Sequence, residues 1–139
     1  MIRNLVFAGT TLAFSLAIAQ GAEKEAVDLS KIPPASDRAG VTYTTHIKPI
    51  LEKSCIKCHG AEKPKARLRL DGLEDALKGG EDGKVILPGN SAGSMLVHNI
   101  AYAGAPDGYM PPPRNKANIP PLTKEQIGLV RAWIDQGAK

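Results

Sequence analysis

Cys55-Ile56-Lys57-Cys58-His59 is the stretch on which the reading of this 139-residue chain turns. It has the form C-x-x-C-H, the pattern of a covalent haem attachment site. Two thiols three residues apart on a helical turn can each add to one vinyl group of a single porphyrin. The imidazole of His59 then lies beneath the ring and can bind the iron as proximal ligand. Cys55 and His59 are four apart, so the three groups share one helix face. Other readings of the pair compete. A thioredoxin-like redox motif belongs in a βαβ setting, which the sequence does not offer. Structural zinc usually asks for four protein ligands, and there is no second cysteine pair. A plain disulfide of an exported protein leaves unexplained the histidine directly behind the pair.

Outward from the motif, the length suits one small domain. Residues 1–19 read as a secretory signal peptide. Arg3 is the only charge, and an apolar run from Leu5 to Ala19 is broken only by Gly9, Thr10, Thr11 and Ser15. Ala17-Ile18-Ala19 supplies small residues for cleavage before Gln20. An uncleaved membrane anchor is the competing reading, against which the run is shorter than the ~20 residues of a spanning helix. The expected location is periplasmic or otherwise extracytoplasmic.

Both phenylalanines, Phe7 and Phe14, lie in that leader. The mature chain keeps only Tyr43, Tyr102, Tyr109 and Trp133 as aromatics. So few large apolar groups make a thin core, and a small scaffold of this kind needs a staple. A covalently held porphyrin supplies the missing bulk. The formal charge of +4 falls by one with the loss of Arg3, and two haem propionates nearly cancel the rest. No nucleic-acid motif accompanies this modest excess.

Residues 20–40 read as a flexible tether, with Pro33, Pro34 and Gly40 among mixed charges and no sustained period. A domain over 41–139 follows. Its first helix is expected from about Thr45 to Lys57, with Thr45 as cap and Pro49 in the first turn, where its missing N–H costs little. Ile47, Ile50, Leu51 and Ser54 give it a buried face. Lys63 to Leu70 alternates basic and apolar residues, like a short strand or extended segment. Short helices are expected at Leu73–Lys78, stopped by Gly79-Gly80, and at Met95–Ala103, capped by Ser94. Residues 104–121 form a long Gly- and Pro-rich loop, of the kind that usually carries function. Thr123 and Gln126 make a capping box for a last helix. Its stripe of Ile127, Val130, Trp133 and Ile134 is expected to pack against the first helix and bracket the haem.

Met110 in the long loop is the candidate sixth ligand. A thioether suits low-spin haem iron and raises its potential. Pro111, Pro112 and Pro113 stiffen the backbone behind it, lowering the ordering cost. Met95 competes, though a helix start suggests core packing. His98 and His46 are further candidates, more in keeping with satisfied polar or surface roles.

With these residues in hand the chain resembles a class I-type cytochrome c domain, and more narrowly the planctomycete-type cytochrome c domain. The matching elements are His46-Ile47-Lys48-Pro49-Ile50-Leu51, Leu68-Arg69-Leu70-Asp71, Lys78-Gly79-Gly80 and Leu87-Pro88-Gly89-Asn90-Ser91. Met110-Pro111-Pro112 and Trp133-Ile134-Asp135-Gln136-Gly137-Ala138 complete the set, which spans about residues 41–138. In that family the domain often opens a much larger protein, whereas this sequence stops after the last helix. The resemblance implies an all-α, cytochrome c-like helical domain wrapped around one covalently bound haem c. Cys55 and Cys58 take the thioether roles, His59 the proximal role and Met110 the distal role.

The function this suggests is a mono-haem carrier of single electrons between redox partners. No acid–base or nucleophilic constellation accompanies the motif, so an enzyme is not expected. The alternative is a haem peroxidase or gas-binding sensor with an open iron face, for which His98 is the only obvious polar distal group. A haem-free thiol module is a third reading. Lys53, Lys57, Lys63, Lys65, Arg67 and Arg69 flank the motif against the single acid Glu62. They are either an ordinary solvated surface or a positive collar for an acidic redox partner.

Overall fold

The computed structural model describes residues 26–139, so the signal peptide expected over 1–19 lies outside the described residues. Among them helices dominate, and the one ladder contact is an isolated bridge between Gly80 and Gly83. The expected all-α architecture is the one the chain adopts.

A π-helical turn over Tyr43–Ile47 leads into α1, Lys48–Ser54, with Pro49 in its first turn. α2 is the single turn Ile56–His59. The one helix expected over 45–57 is thus two, joined at Cys55, whose φ of −128° leaves the helical region. Cys55 ends α1 by donating to the Leu51 carbonyl at 2.8 Å. Its own carbonyl then starts α2, accepting from Cys58 at 3.0 Å and His59 at 2.9 Å. α3 is Leu73–Lys78, α4 Met95–Ile100 and α5 Lys124–Asp135. Gly79 ends α3 with φ +88°, and a Cβ there would sit 2.1 Å from the Gly83 carbonyl oxygen, so only glycine fits. The Thr123/Gln126 capping box forms as read.

Residues 63–70 are not a strand. Lys65–Arg67 is a 3-10 turn, and Lys63, Ala66 and Arg67 all have positive φ. The alternating charges come from a tight winding of the backbone, which brings Leu68 and Leu70 back against α2.

α5 packs on the Tyr43–Ile47 turn and on α4. Trp133 is fully buried, its ring centroid 5.9 Å from that of Tyr43. The Tyr43 hydroxyl donates to the Leu70 carbonyl at 3.0 Å, which ties this core to the segment behind the haem motif. The expected tether differs over residues 33–41, which are fastened along α5 and its C-terminal end. Ser36 N–H donates to the Gly128 carbonyl at 2.9 Å, and the Gln136 amide bridges the Arg38 carbonyl and the Val41 N–H. Arg131 reaches the Pro33 carbonyl. Gly128 makes the close approach possible, since a Cβ there would lie 2.9 Å from the Pro34 oxygen. On the side of residues 33–41 every group in these bonds is backbone, which carries no hydropathy signal.

Candidate functional site

Cys55, Cys58 and His59 share one wall of a largely apolar pocket. Leu68 and Leu70 continue that wall. Met95, Leu96 and Ile100 of α4 and Met110, Pro111 and Pro112 of the long loop also line it. Four segments far apart in sequence therefore converge on the motif. No residue of α5 lines the pocket: it lies behind the first helical segment rather than against the site. In place of the expected bracketing by first and last helix, the motif and α4 with its following loop line the pocket.

The side chains suit a porphyrin in three respects. Cys55 and Cys58 are free thiols, so the disulfide reading has no bond behind it. Burial, and then the neighbouring Cys58, push the Cys55 thiol up to about 12, which keeps it protonated near neutral pH. The His59 ring is held by Nδ1, 3.2 Å from the Leu68 carbonyl oxygen. A carbonyl can only accept, so Nδ1 carries the proton and Nε2 keeps its lone pair, the form that binds a metal. Burial also holds His59 below the usual imidazole range, which favours the neutral ring. Leu70 N–H donates to the His59 carbonyl at 2.8 Å, so one short segment fixes both ends of the residue.

Zinc finds no support, since among the described residues no three His, Cys, Asp or Glu side chains converge. The thioredoxin reading lacks its setting, because no strand longer than the isolated bridge occurs among those residues.

Of the candidate distal groups, Met110 and Met95 both line the pocket. His98 and His46 do not. His98 Nε2 is 2.6 Å from the Ala92 carbonyl oxygen, and His46 Nδ1 accepts from Thr42 N–H at 3.1 Å. Both are satisfied polar side chains away from the site. Sequence reasoning missed Asn115, whose side chain staples the long loop by bonding the Pro112 and Ile119 carbonyls and the Ile119 N–H. It also missed the pairing of Tyr102 with Tyr109 across that loop. The signal available was scarcity: two of the four aromatics of residues 20–139 stand within eight residues of Met110.

Residues 55–114 match the family model for planctomycete cytochrome c. This segment is a planctomycete-type cytochrome c domain. The match begins on Cys55 and runs through His59 and Met110, so it contains most of the residues that line the pocket. No curated protein and no solved structure is significantly similar to the chain. Membership implies a covalently bound haem c with its iron, and an electron-transfer role for the cytochrome domain. The thiol, imidazole and thioether groups of the pocket are the donor set such a haem requires.

Proposed function

We propose that this protein is an extracytoplasmic, mono-haem cytochrome c that passes single electrons between partners and performs no reaction of its own. Cys55 and Cys58 would hold the porphyrin, and His59, through Nε2, and Met110 would bind its iron. Bound there, haem supplies the one-electron ferrous–ferric couple. The chain's own groups exclude water, orient His59 through Leu68 and present a thioether. The observation that carries the reading is that Cys55, Cys58, His59 and Met110 all line one largely apolar pocket. It speaks against a peroxidase or gas sensor, because the polar group proposed for that role, His98, is bonded to Ala92 instead.

The test uses protein produced in a host that matures c-type haem. A pyridine haemochrome assay is expected to give one haem per chain. Mass spectrometry is expected to show a mature N-terminus at Gln20, and optical titration a single reversible one-electron step. A high-spin ferric spectrum that binds peroxide or a gas would overturn the carrier reading.

The partner belongs to the same proposal, with a redrawn collar. Arg67 is paired with Glu81 at 3.1 Å, and Arg69 with Asp71 at 2.8 Å and Asp75 at 3.0 Å. Lys57 and Lys65 instead share an open depression with Arg114 and Lys116, beside Cys58. Among the described residues none of these four is ion-paired. Cys58, Pro112 and Asn115 line both this depression and the cofactor pocket, so the cations stand where the pocket meets solvent. They steer an acidic redox partner, raising encounter rates more than affinity. Electron exchange with an acidic partner is expected to slow several-fold as salt rises from low to about physiological strength, where screening shortens to ~8 Å. Changing Lys57, Lys65, Arg114 and Lys116 together to Gln flattens that dependence. A native rate indifferent to salt leaves these cations as ordinary surface.

A further inference from the structure

We propose that Tyr102 is the positioning residue for Met110, gripping the ligand loop from both sides of the methionine. The inference rests on Met110 as the distal ligand and adds what holds it in place. Three contacts of different kinds converge. The Tyr102 and Tyr109 rings stack, with centroids 4.4 Å apart and planes 3° from parallel. The Tyr102 hydroxyl donates to the carbonyl of Pro111. Between those two grips, Met110 N–H donates to the Asn99 carbonyl at 3.1 Å. The residues on either side of Met110 are thus both held by one side chain, and Met110 itself by the end of α4.

The neighbouring backbone is arranged to allow this. Tyr102 has φ +55°, an uncommon conformation for a non-glycine residue. It persists where surrounding contacts over-determine it, and the ring stack and hydroxyl bond are such contacts. Gly108 lies so close to α4 that a Cβ would be 3.0 Å from Asn99 Oδ1, so the loop sits directly on the helix end. Burial pushes the Tyr102 hydroxyl up from its ordinary value, so it remains a donor throughout the neutral range.

The consequence for ligation follows from the softness of methionine. Its side chain has three rotatable bonds, and a thioether is a neutral, weakly basic ligand. How fully it occupies the iron depends on how much ordering the loop has already undergone, which is the general benefit of preorganisation. Proline stiffens residues 111–113 internally but does not attach them to the domain. Tyr102 makes that attachment. Without its hydroxyl, the loop keeps its shape and loses its anchor at Pro111.

The experiment compares haem-loaded native protein with Tyr102→Phe, which keeps the stack, Tyr109→Leu, which removes it, and Tyr109→Phe as a conservative control. Three quantities are read: the far-red thioether–iron band on warming, the midpoint potential, and amide hydrogen exchange at Met110 and within α5. For Tyr102→Phe the band is expected to fade at a lower temperature and the potential to fall. Exchange at Met110 should rise about tenfold, equivalent to ~1.4 kcal/mol, with α5 amides unchanged. Tyr109→Leu should move the same readouts the same way, and Tyr109→Phe should match the native protein. If Tyr102→Phe fails to fold, Tyr109→Leu and its control read the same grip. Native band, potential and exchange in Tyr102→Phe and Tyr109→Leu would overturn the proposal. So would an equal loss of protection in α5, which marks general destabilisation. Absence of the thioether band from native protein would overturn the Met110 ligation itself and this inference with it.

Discussion

Replacing Cys55 and Cys58 together by alanine is expected to abolish the native helical domain along with the covalent haem. The side chains alone would not predict so much. Each change removes one sulfur, and ordinary truncations of this size cost about 0.5–3 kcal/mol. The larger effect comes from what the sulfurs hold. The pocket is walled by the motif, the segment around Leu68, α4 and the loop at Met110, and apolar faces from all of them point into it. Among the described residues, Trp133 and Tyr43 are the only aromatics that are buried. A domain of this size is stabilised by roughly 5–15 kcal/mol in total. Leaving its central apolar pocket without the porphyrin removes a share of that order. The single variants keep one thioether each and should melt at intermediate temperatures. The measurement is a thermal melt by circular dichroism, paired with a haemochrome assay on denatured, washed protein. A double variant that stayed helical with native melting would show that the haem is not part of the core.

Where sequence and structure agree, the cause is local. The Thr123/Gln126 box needs only four residues, and it forms. Ile127, Val130, Trp133 and Ile134 are all buried, because a period of 3.6 decides which face turns inward. The period does not say what that face meets, which is why α5 was expected at the pocket and lies behind it. The segment 63–70 misleads for a related reason. Alternating polarity is the signature of a strand, but here the chain turns through positive φ at Lys63, Ala66 and Arg67, none of them glycine. No residue type announces that turn, yet it is what carries the Leu68 carbonyl to His59. The fastening of residues 33–41 to α5 is invisible in the same way, since much of it is made by backbone carbonyls. The motif itself was readable because the chemistry fixes its residue types and spacing. The distal side was only half readable: Met110 stands out before its prolines, whereas the stack and hydroxyl bond of Tyr102 join residues whose spacing fits no regular period.

Met110→Ala is expected to convert the iron from low-spin to high-spin, or to a weaker replacement ligand, and to lower the reduction potential markedly. A neutral thioether favours ferrous over ferric iron, so its loss shifts the couple toward the oxidised state. Covalent attachment is untouched, because both thiols, Cys55 and Cys58, remain in the pocket. The fold should also survive. Met110 is only half-buried, and its main contact with α4 is its own N–H on the Asn99 carbonyl, which alanine keeps. Helicity and haem content are therefore expected to match the native protein while the spectrum and potential change, a separation that the cysteine variants cannot give. Met95 is the comparison that matters most, since it also lines the pocket. It is the first residue of α4, next to Leu96 and Val97, which are buried in the core. Met95→Leu keeps volume and removes only the sulfur chemistry, so it should leave spin state and potential unchanged, as should His98→Ala. If Met95→Leu abolishes the thioether signal and Met110→Ala preserves it, the distal role passes to α4 and Met110 becomes a loop residue of the pocket rim. If His98→Ala is the variant that changes the spectrum, His98 must leave Ala92 on haem binding, and the open-face reading returns.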